Sequence, residues 1–148
     1  MSVARFQSCQ SGKGQLWVPW LYAGDDGRSR WGEVAIGLAS GAGDWISAPR
    51  ASSGVSFRHA RRDLALDWHP AARRQYVITL AGEVEYEIHN GERRRFGPGS
   101  VFLADDVGGE GHVSRGVGLV DRTSVYIPVD ADETLPTSTR IASSVRER

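Results

Sequence analysis

The sequence predicts an all-β domain, and three observations lead there. Eighteen of the 148 residues are Gly, well above the usual ~7%, so the chain must turn often. Short runs rich in Val, Ile, Tyr, Phe and Trp recur between Gly, Pro and Asp clusters, which is the pattern of strands joined by hairpins. Nowhere do apolar residues follow the period of a capped amphipathic helix. A chain of this length buries roughly 68 to 70% of its unfolded surface as a single domain, so one self-sufficient core is expected.

The strands are expected at residues 15–21, 32–38, 54–59, 65–69, 74–80, 84–89, 94–96, 100–103, 112–117 and 124–129. The first ends before Gly24-Asp25-Asp26-Gly27, which supplies the turn into the second. Further along, Ala81-Gly82, Asn90-Gly91, Pro98-Gly99 and Val107-Gly108-Gly109 separate the strands from 74 to 117, each with residues suited to tight turns. Asn90-Gly91 is the strongest of these, because both residues tolerate positive φ and so predict a type I′ hairpin. Val84, Tyr86 and Ile88 alternate with Glu83, Glu85 and Glu87, which gives that strand one core face and one wet face. Arg93, Arg94 and Arg95 follow the turn and stand where a partner strand would oppose those carboxylates. Residues 1–14 form an N-terminal arm, 15–129 the single domain, and 130–148 a polar C-terminal tail, since neither end carries strand patterning.

Charge and cysteine content narrow the partners. The 18 Lys and Arg equal the 18 Asp and Glu, so bulk electrostatics gives no reason to expect nucleic acid or an anionic membrane. All but Lys13 of those basic residues are Arg. A lone Cys9 excludes an internal disulfide and a cysteine-based zinc site. With no apolar run of secretory or membrane-spanning length, a soluble cytoplasmic protein is expected. Ten short strands permit a sandwich, a jelly roll or a closed barrel.

The segment from Trp68 to Gly82 carries more specific information. His69, then Ala71, Gln75 and Gly82 resemble the first motif of the cupin superfamily, in which two His flank one residue and a Glu and a Gly follow at set spacing. Pro98-Gly99 followed by His112 resembles the second motif, with Gly116 in the place of its usual Asn. The chain is thus similar to small single-domain bacterial cupins. The resemblance implies a cupin-type antiparallel β-barrel of jelly-roll form, with a homodimer as the common assembly. Five tryptophans, Trp17, Trp20, Trp31, Trp45 and Trp68, are expected to fill the barrel or the dimer interface.

The resemblance also implies a site. His69, Gln75 and His112 take the positions of metal ligands, and imidazole suits Zn, Fe or Ni. Ala71 removes one expected imidazole, so a divalent metal would be held weakly or not at all. Without metal, His69 and His112 are the acid-base pair, because imidazole exchanges protons near neutral pH, with Asp67 as the carboxylate that orients His69. Period two places Gln75, Val77 and Thr79 on the cavity side and Tyr76, Ile78 and Leu80 on the other. Arg58, Arg73, Thr79 and Tyr126 are the candidate substrate-binding residues, with Arg74 near the same mouth. His59 is a substitute ligand if it faces inward, and His89 is expected to be exposed at the hairpin tip. Asp105 and Asp106 are expected to form a turn or to cover the opening.

A cupin fold hosts many chemistries. The reading favoured by this residue set is an enzyme that promotes proton transfer, isomerisation, cyclisation or water elimination (lyase chemistry) on a small oxygenated molecule. The alternatives are an iron-dependent dioxygenase and a non-catalytic ligand-binding or sensor cupin.

Overall fold

The computed structural model describes residues 14–130, 133–135 and 137–138. Its strands are β1 (Gln15–Ala23), β2 (Ser29–Gly37), β3 (Ala39–Ser40), β4 (Trp45–Ile46), β5 (Ser56–Ala60), β6 (Ala65–His69), β7 (Gln75–Ala81), β8 (Glu83–Glu87), β9 (Arg93–Phe96), β10 (Val101–Asp105), β11 (His112–Val117), β12 (Arg122–Pro128) and β13 (Thr137–Ser138). All ten expected strands form, and the described residues contain no helix. The three that sequence reading missed, β3, β4 and β13, have two residues each. That is too short for any alternation to register.

Two sheets carry the fold. The larger runs β13-β2-β1-β10-β7-β12-β5 and the smaller runs β6-β11-β8-β9, while β3 and β4 form a separate hairpin. Residues from both sheets meet in one apolar cluster: Leu21, Trp31, Val77, Phe102 and Ala104 from the larger, Val84, Tyr86, Ile88 and Phe96 from the smaller strands and their hairpin. The molecule is therefore a two-layer all-β sandwich. Among the described residues the strands of the two sheets do not pair, and a single parallel bridge between Arg28 and Gly111 joins their ends, so pairing does not close a barrel. β5 and β6 are the edge strands of different sheets, joined by the turn at 61–64. The larger sheet is mixed where the resemblance implies antiparallel pairing throughout, because β1 and β10 run parallel. The two lie far apart in sequence with no hairpin between them, so nothing local imposes the antiparallel direction.

The period-two assignment of β7 fits this packing. Val77 and Thr79 are buried, Val77 in the cluster between the sheets, whereas Tyr76 packs in a second cluster with Val18, Val34, Leu103 and Leu135. That second cluster lies on the outer face of the larger sheet. Leu135, within the segment expected as a polar tail, is 5% exposed there, and the following β13 pairs with Val34 and Glu33. The N-terminal arm at 1–13 and residues 139–148 of the tail lie outside the described residues.

The charge ladder on the outer face of the smaller sheet is tighter than a solvated surface. Glu85 opposes Arg95 across β9 and Arg115 across β11, with contacts of 3.3 and 3.5 Å, and its side chain is 7% exposed. The turn at Asn90-Gly91 differs from the type I′ expectation. Gly91 alone has positive φ, at 85°, its N–H donates to Ile88 O, and the Asn90 side chain accepts from Glu92 N. This is the three-residue hairpin with a left-handed Gly, chosen because the Asn90 side chain takes the amide that a two-residue turn would leave free.

Candidate functional site

β6 and β11 bring the two motif histidines together. His69 and His112 are direct partners across these strands, and their ring centres lie 4.5 Å apart at an interplanar angle of 59°. The approach depends on Gly111, whose φ is +82° and which lies so close to His69 that an added Cβ would overlap its carbonyl group. Only Gly permits both features.

Each ring is oriented through Nδ1. His69 Nδ1 donates to the main-chain carbonyl of Asp67 at 2.7 Å. A carbonyl only accepts, so Nδ1 carries the hydrogen and Nε2 the lone pair. His112 Nδ1 meets Asp106 Oδ2 at 2.7 Å, inside the protein, with the His112 side chain 6% exposed and that of Asp106 fully enclosed. Asp106 also accepts from Ala71 N at 3.1 Å and from the Ser29 hydroxyl at 2.7 Å. Burial by itself would raise the Asp106 carboxyl. The hydrogen bond and charge of His112, with Ser29 and Ala71, outweigh it and hold the group below its ordinary value. Asp106 is therefore an ionised, enclosed carboxylate behind His112, and His112 too presents Nε2.

This corrects the assignment of the orienting carboxylate. Asp67 holds His69 by its backbone, while its side chain accepts from Trp68 N. Asp106, expected to be a turn former or a cover, performs the orienting role for His112 instead. Sequence carried little signal for it: Asp106 follows the end of β10, where alternation stops, and its partner Ser29 stands 77 positions away. Gly116, in place of the motif Asn, lies against the Arg62 carbonyl, leaving no room for a side chain.

The other candidates divide by face. Thr79 is 1% exposed and pairs with Ser124, and Tyr126 pairs with Val77 and packs on the inter-sheet cluster. Gln75 is half-buried at the start of β7, paired with Ala104 and Pro128. Arg58 is exposed on β5 opposite Ser124. Arg73 is exposed in the turn before β7, where no described residue bonds to its side chain. Arg74 turns away from the imidazoles, bonding Glu133 O at 2.6 Å and approaching Asp105 at 3.4 Å. His59 contacts Thr123 and Asp121 and is exposed. His89 is more engaged than a hairpin tip suggests: its ring stacks on Trp68 at 3.8 Å and meets Glu110 at 3.1 Å, on the far side of β6 from His69.

Sequence reading also missed a polar group deeper between the sheets. Tyr86 packs edge-on to His112, with ring centres 5.2 Å apart, and Arg122 Nη1 donates to its hydroxyl at 3.4 Å. Burial pushes the Tyr86 phenol up to about 12 despite Arg122, so it stays neutral and able to donate. An open depression of about 430 Å³ lies over the β5–β6 turn, lined by Arg58, Ala60 and Ala65 among others. A larger one, of about 530 Å³, is lined by Trp20, Tyr22, Arg30 and Asp105 and contains no imidazole. Neither His69 nor His112 is among the residues that line either depression.

As a metal site the donor set is short. Asp106 binds Nδ1 of His112 and so stands behind the ring, away from Nε2. Two imidazoles remain, with Gln75 as the only further candidate, and the described residues hold no cluster of three His, Cys, Asp or Glu. Resident zinc takes at least three protein ligands, so these residues do not fit such an ion well. No described helix is long and apolar enough to cross a membrane. Compared with protein-family models and with curated proteins, the chain matches none of either.

Proposed function

We propose that this chain is a jelly-roll enzyme of cupin type that moves protons on a small oxygenated organic molecule held between its sheets, by isomerisation, cyclisation or elimination of water. The observation that carries the reading is the imidazole pair: two rings 4.5 Å apart, each with Nδ1 engaged and Nε2 free. His112 is the base, because the enclosed Asp106 carboxylate stabilises the imidazolium formed when Nε2 takes a proton. His69, backed by a neutral carbonyl, is near enough to receive that proton or to return it to another atom of the same molecule. Return at a second carbon is an isomerisation. Delivery to a departing hydroxyl eliminates water.

The experiment needs no knowledge of the net reaction. The full chain is incubated in D2O with a panel of 2-hydroxy, 2-oxo and 3-oxo acids, and deuterium entry at carbon or conversion is followed by NMR. At least one member is expected to exchange, and His112→Asn to slow it by about 10²- to 10⁴-fold. No exchange across the panel by protein that binds these acids would favour a non-catalytic binding role instead.

We also propose that two copies of the chain associate through the outer face of the larger sheet. Phe57 is 74% and Leu80 52% exposed there, beside the half-buried Ile78 and Val125, a continuous apolar strip of the kind that pairs. Sedimentation at micromolar concentration is expected to give twice the 16.1 kDa chain mass, and a Phe57→Glu, Leu80→Glu variant the single mass. A wild-type monomer at that concentration would remove the proposal.

A further inference from the structure

Arg122 is an anomaly of burial. Its residue is 6% exposed, yet among the described residues its side chain makes one hydrogen bond, the 3.4 Å contact with the neutral Tyr86 hydroxyl, and it meets no carboxylate. A guanidinium largely removed from water without a counter-ion is costly, and an anion brought to it would relieve that cost. Three more observations converge on the same place. The Ser124 hydroxyl is fully enclosed and has no partner among the described residues. Tyr86, having accepted from Arg122, retains its own O–H with no described acceptor. Thr79 and Tyr126 flank Ser124 on the inward face, and Arg58, its partner on edge strand β5, lies close enough to Tyr86 to act on the phenol electrostatically.

We propose that Arg122, Tyr86 and Ser124 form a carboxylate-binding subsite inside the sandwich, which anchors the acid group of the substrate. The consequence for catalysis rests on the proton-transfer reading above, since Tyr86 of this subsite packs against His112. A carboxylate suits the donors better than a phosphate does. It presents two coplanar oxygens to a guanidinium fork and carries one charge against the single enclosed cation. A phosphate dianion would leave net negative charge buried. Ala60, the strand partner of Arg122, helps to line the open depression over the β5–β6 turn.

The test is ligand discrimination by the full chain, read by calorimetry and thermal shift. Glycolate and lactate are compared with the neutral methyl glycolate and glycolamide, and with inorganic phosphate. Saturable binding of the acids, absent with the ester and amide and weak with phosphate, is expected. Arg122→Met is expected to weaken acid binding by about tenfold to a hundredfold. Since that variant removes a buried side chain and can unfold, Tyr86→Phe and the wild-type ester comparison serve as independent readouts. His112→Asn should leave acid binding intact. Failure of either acid to bind, equal binding of the ester, tighter binding of phosphate, or unchanged affinity in both Tyr86→Phe and a folded Arg122→Met would each overturn the subsite. Acid binding with full discrimination but no deuterium exchange would instead overturn the catalytic reading and leave the subsite standing.

Discussion

Asp106→Ala is expected to destabilise the protein by about 3 to 5 kcal/mol, lowering Tm by roughly 10 °C or more. The carboxylate is wholly enclosed and accepts from His112 Nδ1, Ala71 N and Ser29 Oγ. Alanine leaves His112 Nδ1 enclosed and Ala71 N half-buried without acceptors, at about 1 to 3 kcal/mol each, while Ser29 can turn to the Gly111 carbonyl, already 3.0 Å away. Asp106→Asn separates stability from function. Its amide can keep Ala71 through its oxygen, but its NH2 now faces His112 Nδ1, which must give up its hydrogen to accept. The hydrogen then resides on Nε2, and the base is lost. Urea unfolding should therefore show a smaller loss than for Ala, while deuterium exchange falls to the level of His112→Asn and ¹⁵N shifts report the other tautomer. The pH dependence has a definite sign. The folded Asp106 value is depressed below the ordinary 3.8, so its stabilisation is complete above 3.8 and is lost as pH falls through the lower folded value. Below the range in which imidazoles titrate, the stability difference between wild type and Asp106→Asn should shrink as pH falls through that lower value. A difference that instead grows there would contradict the ionised carboxylate.

Gly111→Ala should have an effect of similar size by another route. Its Cβ would overlap the His69 carbonyl and the Pro70 nitrogen, and its φ of +82° disfavours any side chain. Gly108 provides the control, with φ +75° and open space around an added Cβ. Gly108→Ala is therefore expected to cost only the left-handed penalty of about 1 to 2 kcal/mol, and Gly111→Ala to exceed it by about 2 kcal/mol or more, since main chain must move. The movement separates β6 from β11 at His69 and His112, so the aromatic NMR contacts between the two rings should vanish in Gly111→Ala and persist in Gly108→Ala. Equal destabilisation by the two substitutions would show that the close approach at Gly111 is relieved at no cost.

Much of the architecture was legible because β structure writes itself into short-range pattern. The alternation Val84, Tyr86, Ile88 against Glu83, Glu85, Glu87 gave strand, face and ladder together, and all ten long strands lie where turn residues bound them. His69 and His112 could be named from motif spacing, and the structure brings their rings together. The carboxylate that serves them could not. Asp67 is the nearest acid in sequence to His69, but a side chain two residues along a strand shares its face without reaching back to the ring. Asp106 gains its role from Ser29 on β2 and Ala71 in the loop before β7, both from other parts of the chain. Arg122 and Tyr86 were unreadable for the same reason: Tyr86 stands only as one core position in an alternating strand, and Arg122 falls before the strand expected at 124–129.

The sequence by itself determined the strands, their inward and outward faces and the two histidines, because each depends on dihedral preferences and on a period of two that a few residues suffice to express. Only the tertiary structure decided which strands neighbour one another, which acid lies behind His112, and which arginine is left without a counter-ion. Asp106 is enclosed with Ser29 from 77 positions away, and Arg122 meets Tyr86 across 36; both are fixed by how the two sheets stack and by what water they exclude, which no local pattern records.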